Sequence, residues 1–227
     1  MCKIIINLLN LHKQSQKMER KPAGGAIRNT ERSKKKFFSA VGKILKTKGY
    51  AGLKINEIAK VAGVDKKMIY TYFGGLDGLI DEYIRTQDFW SNVHTDMASK
   101  PIDDGGKAFS KELFSLQFDY LSKNKELQKV LLWRLSEERK SLRKLTEEQE
   151  ENSEKLFTHI SDPHFGEQAE KFRAVSAVLA AGLYYLNMYA EHNGSVFSGI
   201  DLKTESGREA IKEAVSFLID KTYEGIL

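Results

Sequence analysis

Apolar residues recur at every third or fourth position through most of the chain and almost nowhere alternate strictly, so the pattern predicts helices separated by breaks. Phe37, Val41, Ile44 and Leu45 share one side of a helix that Thr30 and Glu31 open and Gly49 stops, with Lys34, Lys35, Lys36, Lys43 and Lys46 largely off that stripe. A short second helix from about Ile55 to Ala62 puts Ile55, Ile58, Ala59 and Ala62 on one side. Gly63 breaks it, and Asp65 caps a third helix from Lys66 to about Phe73, with Ile69, Tyr70 and Phe73 spaced to pack inward. Gly74 and Gly75 end that helix.

Five longer helical segments follow, at about Asp77 to Met97, Lys107 to Ser122, Lys125 to Ile160 with an interruption near Ser136, Glu167 to His192, and Ser206 to Tyr223. Loops are expected at Lys100 to Gly106, Ser161 to Gly166 and Asn193 to Thr204, where Pro, Gly, Ser and Asp concentrate. With no fixed repeat and no strand pattern, the expected class is all-α. The expected organisation is a flexible basic arm over residues 1–27, a three-helix head over 28–76 and a helical bundle over 77–227.

Two helices joined by a short turn containing Gly make a helix-turn-helix, and Gly63 supplies the turn. Ile58, Ala62, Val64, Ile69 and Tyr72 form too small a core to hold two short helices, so the preceding helix must supply a third side through Phe37, Val41, Ile44 and Leu45.

Charge turns this fold into a function. Up to Phe73 the chain carries 17 Lys and Arg against four acids, a net +13; from Gly74 onward the balance is −8. A basic head on an acidic remainder points to nucleic acid at one end and different work at the other. Composition sets outer bounds: 41% hydrophobic and 30% charged residues suit a globular protein, and the single cysteine, Cys2, excludes an internal disulfide and a two-thiolate zinc site. No apolar run approaches the length of a membrane span, and Ile4 to Leu11 is too short for a signal peptide, so a cytoplasmic protein is expected. Met18 opens a more polar leader than residues 1–17.

A recognition helix presents its first turns to the major groove, where Lys can donate to guanine and an apolar side chain can meet a thymine methyl. Lys66, Lys67, Met68 and Thr71 are the candidates for base contact, flanked by Tyr70 and Tyr72. Lys34, Lys35, Lys36, Lys48 and Lys54 would add sequence-independent attraction to phosphates, weakening with salt. Arg20, Lys21 and Arg28 belong to the arm.

Residues 28–80 resemble the DNA-binding domain of the TetR family of bacterial transcriptional regulators. The resemblance runs through Lys48-Gly49-Tyr50, then Glu57-Ile58-Ala59-Lys60-Val61-Ala62-Gly63-Val64, then Ile69-Tyr70-Thr71-Tyr72-Phe73, then Leu79. It covers about a quarter of the chain. It implies a regulator of transcription bound to an operator in double-stranded DNA, a phosphate contact from the Tyr70 hydroxyl, a predominance of repression, and a helical effector domain with little common sequence. The chain departs from the family's habit at Lys54, Lys67, Met68 and Leu76.

One head reads few base pairs, so useful specificity needs two heads about one helical turn, roughly 34 Å, apart. The segment Ala174 to Ala190 is apolar nearly all round and rich in small residues, and the last helix is its natural partner. Ala177, Ala181, Tyr184, Ile211, Val215 and Leu218 are the candidates for a homodimer contact, the family resemblance implying a four-helix interface. An ordinary buried core helix is the alternative for this segment.

Aromatic residues are dense in the same region. Trp90, His94, Phe114, Phe118, Trp133 and Tyr185 are candidates to line a pocket for a small hydrophobic or aromatic effector, although most aromatic stripes at helical spacing are core. Binding there would displace the helix beginning near Asp77 and alter the spacing of the heads. A coupling of about 1 to 3 kcal/mol would change DNA affinity roughly 5- to 150-fold.

A regulator or architectural protein without a small ligand is the nearest alternative, and a helical-bundle enzyme a more distant one. His159 and His164 straddle Pro163 without metal-ligand spacing, the glycine pairs read as helix breaks, and Glu137, Glu138, Glu147, Glu148, Glu150, Glu151 and Glu154 form a solvated face. Neither a cofactor nor a catalytic residue nor a metal is expected.

Overall fold

The computed structural model describes residues 24–87 and 102–226. Among the described residues the fold is all-α apart from one small hairpin, and the chain divides into two compact units. The head unit combines residues 24–87 with residues 125–149, and the second unit combines residues 102–124 with residues 150–226.

In the head unit, α1 (Gly24–Lys48) buries Phe37, Ala40, Val41, Ile44 and Leu45, the stripe expected from the spacing. The helix starts at Gly24, so Thr30 lies inside it and does not cap it, and residues 24–27 of the expected arm are helical. Extending a formed helix backwards fixes one residue per added bond, which is far less costly than nucleating a new turn. At the other end the Gly49 amide donates to the Leu45 carbonyl at 3.2 Å and a short 3-10 turn, Tyr50–Gly52, leads on.

Helix α2 (Ile55–Ala62) has the expected bounds. Gly63 takes a left-handed conformation, φ 61° and ψ 38°, which a side chain would resist, and the amides of Gly63 and Val64 close the helix on Lys60 and Ala59. Helix α3 (Lys67–Phe73) starts one residue later than expected. Asp65 prepares it, its side chain accepting from the Lys67 amide at 2.8 Å and its carbonyl from the Met68 amide at 3.0 Å. Helix α4 (Leu76–Thr86) buries Leu79, Ile80, Tyr83 and Ile84. Its Gly78 faces the backbone carbonyl of Phe73 so closely that a Cβ would overlap the oxygen.

Residues 125–149 complete this unit. Helix α6 (Lys125–Ser136) and the start of α7 (Lys140–Leu156) add Val130, Trp133, Leu142 and Leu145 to the core of the first four helices. The break between them, at residues 137–139, falls where Ser136 suggested it. Residue 76 therefore does not bound the compact unit.

In the second unit, α5 (Lys107–Lys123) packs with α9 (Ala169–His192) and α10 (Glu205–Ile226) around Phe114, Phe118, Phe172, Leu179, Leu183, Val215, Ile219 and Tyr223. The expected loop at residues 161–166 is helical. A π turn over Phe157–Ser161 runs into α8 (Asp162–Phe165), and Pro163 fits because the first-turn amide it lacks has no partner within a helix. The expected loop at residues 193–204 contains a hairpin, β1 (Val196–Phe197) against β2 (Ile200–Asp201), with Phe197 opposite Ile200. Ser198 and Gly199 at its tip both have positive φ, 51° and 80°, the geometry that matches strand twist.

A buried polar network ties the three long helices of this unit. Asn187, 4% exposed, donates to the carbonyls of Phe118 and Leu183 and accepts from Arg208, which also reaches the Phe118 carbonyl and Asp119. Each buried group in it has a partner, which is the condition for such a network to hold.

Candidate nucleic-acid interface and the faces of the last two helices

Helix α3 is fixed by one fully buried side chain, Ile69, and by Met68, Tyr72 and Phe73, which pack half-buried against the same core. Lys66, Lys67 and Thr71 are exposed, and Tyr70 is 57% exposed. Two expectations change accordingly. Met68 sits partly in the core and is not freely displayed, whereas Tyr70, expected to pack inward by its spacing, points outward. In a seven-residue helix a single inner row fits the core, and Ile69 with Phe73 fills it. Tyr72 stands edge-on to Phe73, its ring centre 6.3 Å away.

The cations around α3 differ in how far they are engaged. Lys66 donates to the Asn56 side-chain carbonyl at 3.3 Å, bridging α3 to α2. Lys48 lies 2.6 Å from the Glu57 carboxylate. This ammonium holds the Glu57 carboxyl below the ordinary value, first by hydrogen bonding and then by charge, with burial opposing and Lys60 adding a smaller pull. Lys34 pairs with Glu82 at 3.1 Å and stands over the Phe73 ring, and Lys46 pairs with Glu126 at 2.7 Å. Lys54, at the head of α2, and Lys67 are exposed and make no ion pair among the described residues. Asn56 and Glu57, which hold two of these lysines, are missing from the candidates read from sequence. Their position in the first turn of α2 was the available signal, but contacts to Lys48 and Lys66 are not visible in spacing.

Of the residues expected at a subunit contact, Ala177, Ala181 and Leu218 are exposed, Tyr184 and Ile211 are half-buried, and Val215 is buried in its own chain's core. Val215 shares the inner row of α10 with Ile219 and Tyr223, while Ala210, Ala214, Phe217 and Leu218 form the outer row. On α9 the exposed residues Ala174, Ala177, Val178, Ala181, Gly182 and Tyr185 recur at the spacing of one helical face. Val178 is 72% exposed and Phe217 58%. Tyr185 adjoins Phe197 of the hairpin at 5.9 Å between ring centres.

Of the residues expected to line a pocket, four lie among the described residues. Phe114 and Phe118 lie in the core of the second unit, the Phe118 ring under the Arg208 guanidinium at 3.9 Å. Trp133 lies in the core of the head unit, Tyr185 is exposed, and Trp90 and His94 fall outside the described residues. Among the described residues there is no cluster of three or more His, Cys, Asp or Glu able to hold a metal, and no helix long and apolar enough to cross a membrane.

Residues 42–83, which span the end of α1, the turn and α2 to α4, match the sequence model of the family described as bacterial regulatory proteins, tetR family. No curated protein matches the chain. Among solved structures, one similar fold is a Clostridium perfringens protein named for the regulation of fatty acid metabolism, 19% identical, covering 85% of this chain and 98% of its own, with a TM-score of 0.60. Another is a transcriptional regulator of the TerR/AcrR family from Aquifex aeolicus VF5, 20% identical, covering 82% of this chain and 99% of its own, with a TM-score of 0.56. The helix-turn-helix is thus similar to that of the tetR family of bacterial regulatory proteins over residues 42–83, and the fold is shared with these two proteins along most of the chain.

Proposed function

We propose that the protein is a sequence-specific, DNA-binding repressor that acts in the cytoplasm as a homodimer and leaves its operator when a small hydrophobic or aromatic effector binds. The observation that carries the DNA-reading part is the display of Lys66, Lys67, Tyr70 and Thr71 on a helix pinned by Ile69. A short rod held rigidly at its inner row can present its outer row to base edges with little loss of side-chain freedom. Lys67 reads a base, the Tyr70 hydroxyl sets register on a phosphate, and Lys54 adds sequence-independent attraction. The outer rows of α9 and α10 support dimerisation, since an apolar face of this extent on two adjacent long helices is characteristic of a subunit contact.

Selection of bound fragments from random-sequence duplex DNA tests the reading directly. The wild type should enrich one sequence with two half-sites about a helical turn apart. Lys67→Ala should relax one position of it and Tyr70→Phe should weaken binding without changing the sequence. Enrichment of no sequence would refute sequence-specific reading.

A regulator without a small ligand is supported by one observation: the four described residues expected at an effector pocket are used elsewhere, three in two separate cores and one at the surface. A panel of apolar and aromatic carboxylates, added to the protein bound to its selected duplex, separates the two. Release by any of them supports the effector, and retention throughout favours the alternative.

A further inference from the structure

Consecutive residues of α2 each engage a lysine of the DNA-facing head. Asn56 accepts from Lys66 at 3.3 Å, and Glu57 accepts from Lys48 at 2.6 Å. The two grips differ in kind. A neutral amide gives up its lysine to a phosphate readily, because the charge of the lysine is uncompensated until then. A carboxylate is itself a delocalised oxyanion, so it offers Lys48 what a phosphodiester would offer and also repels that phosphodiester.

We propose that Glu57 is a specificity-determining residue, which withholds Lys48 from the phosphate backbone when the head lies on DNA of arbitrary sequence. The inference rests on the DNA-reading role of α2 and α3 proposed above. Sequence-independent affinity grows with the number of phosphates neutralised. A lysine held by its own carboxylate adds nothing to that number. On the operator, base contacts from α3 hold the head in register and Lys48 exchanges Glu57 for a phosphate; withholding the lysine only elsewhere raises the ratio of specific to non-specific binding, and that ratio, not affinity alone, decides occupancy against a genome of competing sites.

The placement of the pair supports this role. Lys48 is the last residue of α1, a helix anchored by its buried stripe, and Glu57 stands beside Asn56, which touches the residue preceding α3. The side chains of Lys48 and Glu57 are 56% and 31% exposed, so the pair is open to solvent and to an approaching duplex. Lys34 and Lys46 are paired too, but with Glu82 on α4 and Glu126 on α6, where the contacts join α1 to helices outside the turn motif.

The test uses the full chain and a 30-base-pair duplex of random sequence, with binding followed by fluorescence anisotropy across a series of KCl concentrations. Glu57→Gln should tighten binding about 1.5- to 5-fold at fixed salt, the range set by an exposed ion pair. The slope of log K against log salt should steepen by about 0.9 for each head engaged. In a Lys48→Met background the same substitution should change neither quantity. Glu57→Ala should behave as Glu57→Gln does, and the melting midpoint of every variant should fall only slightly below the parent's, as loss of an exposed ion pair requires. An equal gain with and without Lys48 would show that Glu57 acts through its field on the whole head, and would overturn the proposal. So would identical curves for the wild type and Glu57→Gln. A wild type that binds no duplex even at low salt would instead refute the DNA-reading role itself, and the proposal with it.

Discussion

The indole of Trp133 lies parallel to the phenol ring of Tyr50, 5.5 Å between centres and 5° between planes, joining α6 to the turn that follows α1. The Trp133 ring nitrogen donates to Glu137 at 2.7 Å, and the Arg139 guanidinium stands over the indole while pairing with Asp77 at the start of α4. One buried ring thus meets the turn after α1 and the break after α6, and Arg139 carries the link on to α4.

Truncating that ring should be severe. Trp133→Ala removes a side chain that is 3% exposed, and loss of packing with the cavity left behind should cost about 3 to 5 kcal/mol. Urea titration followed by circular dichroism measures it, and Tyr50→Ala should cost less because Tyr50 is 37% exposed.

Gly78 admits no side chain. A Cβ there would overlap the Phe73 carbonyl oxygen, which belongs to the backbone and cannot swing aside. Gly78→Ala should destabilise the protein by about 1 to 3 kcal/mol or more through overpacking, read as a lowered midpoint in a thermal melt.

The outer rows of α9 and α10 predict where dimerisation can be broken without harm to the fold. Val178→Glu or Leu218→Glu places a charge on an exposed face and should convert the proposed dimer to a monomer in sedimentation equilibrium at micromolar concentration. Val215→Glu should unfold the protein instead, because Val215 is a core residue.

Much of the head follows from spacing alone. Phe37, Val41, Ile44, Leu45, Ile58 and Ile69 all occupy the core their periodicity assigns them, because in short helices around a small core only one face can be buried. The placement of Trp133 with Tyr50 was not legible, since nothing local connects residues more than 80 positions apart. Nor was the hairpin, whose two-residue strands are too short to alternate. Pro163 and Gly166 signalled a loop, yet the peptide satisfies its bonds as a π turn and a short helix. In the DNA-facing set, exposure of Lys67 and Thr71 could be read from the pattern. The outward turn of Tyr70 and the engagement of Lys48 by Glu57 depend on packing and on a partner nine residues away.

Acid should weaken the second unit through Asp119. Burial pushes its carboxyl up, but hydrogen bonds from Lys212 and Arg208, together with their charges, outweigh this and leave it below the ordinary 3.8. A lowered folded value means that the contribution is complete above about pH 4 and disappears as pH falls through the folded value. Melting points of the wild type and Asp119→Asn should therefore differ at neutral pH and converge in strong acid.

The Glu126 carboxylate lies against Gly42 so closely that a Cβ there would come within 2.5 Å of its oxygen, while the same group takes hydrogen bonds from Tyr83 at 2.5 Å and Lys46 at 2.7 Å. A chimera that grafts residues 28–76 onto another regulator's body would therefore sever this socket from its plug. Transplanting the head unit intact calls for carrying residues 77–87 and 125–149 along with the graft.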